Sequence, residues 1–272
     1  MTEECNCAYQ LFCKEHPLEG LNFSSRYKWW NGEQLTRTIA LDTETEMITH
    51  PGHVPRLVIT TASDSTTGHT YLIRNEDLWG FLYVNNHTNF IMHNAPFDLA
   101  VISKYLQNRS IYLHAEEDKL WDTRIMYQLI KLAKTGASPQ KNSLALVSQE
   151  YLGIELDKDA SVRCNFGQFL NEDGSVNYHD MTHEFLEYAA KDSEITLQLF
   201  HKLIQEMQGI EQAHGVEDTF LSHKIQLLGA IALDDIQKNG IGFNLAGKEL
   251  RLEALQAEIS QHKLVLASHG WE

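Results

Sequence analysis

The 272 residues carry 22 lysines and arginines against 37 aspartates and glutamates, a net charge of −15, with 43% hydrophobic and 10% aromatic content. That balance excludes a protein that grips duplex nucleic acid through a broad basic surface, but not one that binds it in a cleft where cations offset the phosphates. No apolar run approaches the roughly 20 residues needed to span a bilayer, and Met1 to Asn6 has acids but no basic segment. The expectation is a cytoplasmic protein with no membrane partner and no signal peptide.

Residues 1 to 35 form a polar, irregular leader whose Tyr27, Trp29 and Trp30 dock on the body. Cys5, Cys7, Cys13 and His16 within it follow C-x-C-x5-C-x2-H. These are zinc ligand types in a spacing that matches no common zinc module, so bound zinc and a reduced tail both stand. Arg37 to Leu41 is predicted as a strand, Arg56 to Ala62 as a second and His69 to Ile73 as a third, with a turn at Asp64 to Gly68. Short connections among the three imply an antiparallel meander. Asn75 to Val84 has the spacing of a short helix, and Phe90 to Met92 is a buried strand leading into a helix over Pro96 to Leu106.

Ile111 to Leu113 has strand composition, while Thr123 to Leu132 and Ser143 to Leu152 are helical by spacing. The Gly-Pro loop from Thr135 to Asn142 separates those two helices. Lys131, Lys134 and Lys141 around it are either phosphate contacts or a solvated surface. Asp157 to His179 is irregular with room for a hairpin. Long helices follow from Met181 to Gln208, Asp218 to Lys238 and Leu245 to Leu266. The whole is a mixed α/β sheet with helical appendages.

Three acidic sites stand out. In Ile39-Ala40-Leu41-Asp42-Thr43-Glu44-Thr45, strand alternation points Asp42 and Glu44 the same way, and two neighbouring anions repel unless a cation sits between them. In His93-Asn94-Ala95-Pro96-Phe97-Asp98, Asn94 is a natural N-cap, Pro96 suits a first turn, and Asp98 shares a stripe with Val101, Ile102 and Tyr105, tending toward the core. In Tyr188-Ala189-Ala190-Lys191-Asp192, Tyr188 and Asp192 lie on one helical face that continues to Ile195 and Leu199. Each pattern alone is an ordinary structural feature; three in this order are not.

The blocks LDTET, HNAPFD and YAAKD resemble the three motifs of the DnaQ-like 3′–5′ exonucleases with four acids and a tyrosine, most nearly the proofreading domain of family A, phage-type DNA polymerases. The resemblance covers about residues 36 to 205, within an exonuclease domain expected over 36 to 210, and Trp121-Asp122-Thr123 and Ser143-Leu144-Ala145 share it. Relatives of the histidine type place that residue where Glu187 stands, so Tyr188 marks the tyrosine type.

The resemblance implies a ribonuclease H-like fold, with antiparallel first strands and then parallel ones. It also implies two cations, Mg²⁺ or Mn²⁺, about 3.5 to 4 Å apart, that activate water and stabilise the leaving 3′-oxygen. Asp42 would bridge both, Glu44 and Asp192 would complete one site, Asp98 would serve the other through water, and Tyr188 would orient the attacking water. Thr45, Ile48 and Asn94 occupy positions that touch or flank the terminal nucleotide in the family. The expected substrate is a single-stranded DNA 3′ end and the product a nucleoside monophosphate.

Lys224 to Asn244 resembles the segment by which family A polymerases pass from exonuclease to thumb, so residues 211 to 272 would begin a thumb. The polymerase module would then act in cis or in trans. A ribonuclease D-like exoribonuclease shares the four acids and the tyrosine, and a catalytically silent binding module is the rival of another class.

Overall fold

The computed structural model describes residues 27–35, 38–156, 162, 164–215, 220–240 and 242–271. Cys5, Cys7, Cys13 and His16 lie outside them. Residues 1–238 and 239–272 are two separate compact units.

The first unit is built on a six-stranded sheet of order β1-β4-β3-β2-β5-β6. Its strands are β1 (Tyr27–Trp29), β2 (Thr38–Thr45), β3 (Leu57–Asp64), β4 (Thr70–Ile73), β5 (Asn89–Met92) and β6 (Leu120–Asp122). β2, β3 and β4 pair antiparallel, as their short connections predict. β5 and β6 then add in parallel beside β2, and β1 pairs parallel with β4. Tyr27 to Trp29 therefore dock as an edge strand rather than as part of an irregular leader.

Around the sheet stand α1 (Leu78–Val84), α2 (Ala95–Leu106), α3 (Leu113–Glu116), α4 (Thr123–Thr135), α5 (Leu144–Leu152), α6 (His183–His214) and α7 (Phe220–Asn239). Ile111 to Leu113 is not the expected strand. The Asn108 side chain accepts from Ser110 N at 3.0 Å and Ser110 Oγ at 2.7 Å, a local turn that starts a 3₁₀ segment running into α3. The excursion before α6 contains the hairpin, with Leu170 bridged to Val176.

Strand alternation divides the core into layers. Ile39 and Leu41 of β2 pack with Phe90, Leu99 and Ile102, on the side of α1 and α2. Ala40 and Ile91 pack with Met126, Leu197 and Phe200, on the side of α4 and α6. Small residues let α6 lie close on β3: Thr61 Oγ1 donates to the Ala189 carbonyl at 3.2 Å, and Ser63 Oγ meets Ser193 Oγ at 3.0 Å. Gly167 marks another close approach, since a Cβ there would stand 3.1 Å from Glu46 Cβ at the end of β2. Among the described residues of the second unit stands the helix α8 (Leu245–Ser268), which has no buried residue. Among the described residues no helix is long and apolar enough to cross a membrane.

Burial pushes His93, His201 and His223 down to about 4. Each is held neutral when folded and charges more readily when unfolded, so its share of stability is present above pH 6.5 and lost as pH falls through 4. Each share is about 3 kcal/mol at full loss. The histidines lower the urea midpoint as pH falls from 6.5 to 4, against the buried Asp98 and the half-buried Glu194, which work the other way, and the acid limb is expected to be shallower in His201→Leu than in the parent. An equally steep acid limb in that variant would contradict the assignment.

Candidate active site

β2 carries the site. It runs through the acidic pair instead of ending at Leu41, with an irregularity in its pairing with β3 between Glu44 and Thr45. Asp42 and Glu44 share the parity of Ala40, the face on which α6 packs, and α6 brings Tyr188 and Asp192 to it. Carboxylate oxygens of Asp42, Glu44 and Asp192 all lie within 4.8 Å of one another. With Tyr188 they line an open cleft of about 350 Å³, together with Thr45, Ile48, Phe97 and Cys164. The helical stripe behind Asp192 is buried as expected, Ile195 at 2% exposure and Leu199 at 0%.

Asp98 stands beside this trio, not in it. Thr43 has the opposite parity and faces α2, where Asp98 accepts from Thr43 N at 3.1 Å and Thr43 Oγ1 at 2.7 Å. β5 pairs with β2 only as far as Ala40, so Thr43 N–H lies beyond that ladder. Asp98 satisfies it and is held at Thr43, the residue that follows Asp42 in β2. Burial raises the Asp98 carboxyl to about 7, the Thr43 bonds working against that rise and the Asp122 charge adding to it.

Asn94 occupies the N-cap position of α2, yet its side chain does not cap the helix. Its backbone is left-handed, φ 75°, and its side-chain oxygen accepts from the Arg124 guanidinium. The cap comes from Asp122. One Asp122 carboxylate accepts from Asn94 N at 3.2 Å and Ala95 N at 2.8 Å, at the start of α2. It also accepts from Arg124 N at 2.8 Å and Ile125 N at 3.3 Å, at the start of α4. Burial raises this carboxyl while the four N–H groups work to lower it. Asn94 is not among the residues lining the cleft, unlike Thr45 and Ile48.

A further acid, Glu46, also lines the cleft, but Arg56 binds it through N and Nε, both at 2.9 Å. Burial works to raise its carboxyl and the Arg56 bonds outweigh that. Lys131 and Lys134 form ion pairs with Glu150, at 2.7 Å, and Glu206, as the solvated-surface alternative expects. Asp122 and Glu46 had no assigned role in the sequence; the only signal was that Trp121-Asp122-Thr123 belongs to the resemblance.

The donor set is three carboxylates converging at one point, hard oxygen ligands suited to a hard divalent cation. Sheet order, helix placement and this acidic cleft define an α/β fold of the ribonuclease H-like exonuclease type. A family model described as 3′-5′ exonuclease (DNA_pol_A_exo1) matches residues 28–208, and the chain belongs to that family. Among curated proteins none matches. The solved structure of Escherichia coli RNase D, described as an exoribonuclease involved in structured RNA processing, is similar over 73% of this chain and 45% of its own. That likeness has 21% identity and a TM-score of 0.51. Trypanosoma brucei RNase D in complex with RNA U12 is similar over 76% and 66%, with 16% identity and a TM-score of 0.53. The chain thus spans less than two thirds of either relative, and the likeness concerns the fold.

Two outcomes follow from the buried acids. Asp122→Ala removes two helix caps at once and is expected to cost roughly 2–4 kcal/mol in urea unfolding, about twice a single cap; a loss under about 1 kcal/mol would show that the caps are dispensable. Because the folded Asp98 carboxyl lies above its unfolded value, its own contribution to the metal-free fold is lost as pH rises from about 4 toward 7, opposite in sign to that of the buried histidines. In chelator, Asp98→Asn is therefore expected to gain on the parent in melting temperature between pH 5 and 8. A constant difference would refute the raised carboxyl.

Proposed function

We propose that this chain is a metal-dependent 3′–5′ exonuclease that removes nucleotides from single-stranded DNA 3′ ends and releases nucleoside monophosphates. The observation that carries this is the convergence of Asp42, Glu44 and Asp192 from two distant segments onto one point beside Tyr188. Asp42, Glu44 and Asp192 would hold one Mg²⁺ or Mn²⁺, with Asp42 and the adjacent Asp98 serving a second, Asp98 through water. Such cations, when bound, supply charge to activate water and to stabilise the leaving oxygen.

The chain's own groups do the rest. Tyr188, half-buried on the cleft wall, orients the attacking water by its hydroxyl, since an ordinary phenol titrates near 10 and is a poor bulk base. Ile48, 53% exposed, and Thr45 offer the terminal nucleotide an apolar face and a hydroxyl. Asn94 flanks the strand path at the start of α2.

DNA is favoured by the family A character of LDTET, HNAPFD and YAAKD and by the type of the matching family. The apolar residues that α7 exposes, Leu221, Ile225, Leu233 and Ile236, suit a polymerase module in cis or in trans. The similarity of fold to the two RNase D structures favours a second reading, an exoribonuclease.

Asp42→Ala is expected to lose activity by orders of magnitude on a single-stranded oligonucleotide with Mn²⁺, because a shared ligand disables both sites. Tyr188→Phe is expected to lose less. Parent-like digestion by Asp42→Ala would refute the site. Oligonucleotides matched in sequence with DNA or RNA 3′ ends separate the two substrates, and faster RNA digestion would overturn the DNA reading.

A further inference from the structure

We infer that His223, on α7, is a positioning residue for this nuclease site; the inference rests on reading Asp98 and its neighbours as a cation site. β6 is the edge of the sheet, and Asp122 is its last residue. The Asp122 N–H donates to His223 Nε2 at 2.9 Å, and the His223 ring stacks on Trp121 with centroids 5.1 Å apart and 22° between planes. A buried edge N–H must have an acceptor, and among the described residues no strand lies on the outer side of β6 to provide one. Since Nε2 accepts, the ring proton is on Nδ1, and burial keeps the imidazole neutral across the working pH range.

α7 lies outside residues 28–208, the part that matches the family. It is nevertheless part of the nuclease core. Leu227 and Ile231 are buried with α1 and α2, Arg109 holds Asp235 at 2.8 Å, and Lys224 holds Asp118 at 2.6 Å.

From His223 the contacts run without a gap to the acids. The Asp122 carboxylate caps α2 through Asn94 N and Ala95 N. The first turn of α2 carries Asp98, and Asp98 takes both donors of Thr43, between Asp42 and Glu44. Removing the acceptor leaves the Asp122 N–H buried and unsatisfied, and the least costly relief is a shift of β6 that carries the α2 N-terminus with it. The effect falls on cation affinity. By reciprocity, bound cation must tighten the His223 contact by the factor that the contact tightens the cation.

The test uses the full chain and Mn²⁺ binding by calorimetry. His223→Phe keeps a ring on Trp121 but offers no acceptor, and is expected to bind Mn²⁺ about tenfold more weakly, the lower end of losses from outer-shell changes. His223→Gln, whose side-chain oxygen can accept, is expected to recover most of that loss. Asp235→Asn loosens α7 away from Asp122, and is expected to lower the melting temperature while leaving Mn²⁺ affinity unchanged. Parent-like affinity in His223→Phe, or an equal loss in Asp235→Asn, would overturn the inference. Asp42→Asn separates the two levels: parent-like Mn²⁺ binding there defeats the cation site itself, whereas its loss alongside an unaffected His223→Phe defeats only the role of His223. Should His223→Phe not fold, amide exchange in the parent decides. Mn²⁺ is expected to slow exchange in both 120–126 and 220–227, and unchanged exchange in the second segment would overturn the inference.

Discussion

The period-two alternation of β2 is the constraint from which the site follows. Even-numbered positions from Ala40 to Glu44 face α6, and odd-numbered ones from Ile39 to Thr43 face α2. Two acids on one face can be joined at once by an acid from the helix packed there, which is why Asp192 completes a trio with Asp42 and Glu44. An acid on α2 belongs to the other layer and cannot enter that trio directly. Asp98 reaches the site by binding the backbone and hydroxyl of Thr43, the residue between the two acids. The cost of so placing a buried carboxyl shows in its elevation to about 7. A nearby cation is the natural relief, since it favours the ionised form that burial opposes.

That arrangement needs α2 to start at a fixed point, and Asp122 fixes it. One carboxylate accepting four N–H groups from two helix starts joins β6, α2 and α4 into a single rigid corner. A capping side chain within α2's own segment would have held that helix alone. Asn94 is released from capping and adopts a left-handed backbone, with its side chain turned to Arg124. Local strain of this kind persists where surrounding bonds over-determine it.

Much of this was legible in the sequence, for reasons that can be stated per residue. Asp42 with Glu44, and Tyr188 with Asp192, are periodic pairs, and periodicity survives folding whatever the tertiary context. The burial of Asp98 was legible too, because Val101 and Ile102 share its stripe and are 1% and 0% exposed, although Tyr105 at the end of that stripe is 39% exposed. What escaped were features without a period. β6 is three residues long, too short to alternate, and β1 is an equally short edge strand whose pairing with β4 no local pattern encodes. Ile111 to Leu113 has strand composition, but the Asn108 turn overrides it. The double cap by Asp122 joins segments 27 residues apart at Ala95, and only the sheet brings them together.

The charge balance of −15 is consistent with the same site. Within the first unit, Arg56, Arg109, Lys119, Lys131, Lys134 and Lys224 are each engaged by an acid of the chain. Those six cations are spent inside the fold and do not contribute to a free basic surface. An acidic protein of this kind would repel a polyanion at long range, so attraction has to be generated locally and over a short distance. Under the proposed function, a cleft of about 350 Å³ lined by three converging carboxylates would do this only with cations bound, and then for the few phosphates at a chain end. In the proposed exonuclease, preference for an end over an interior stretch would then follow from where the charge sits, before any contact to a base is considered.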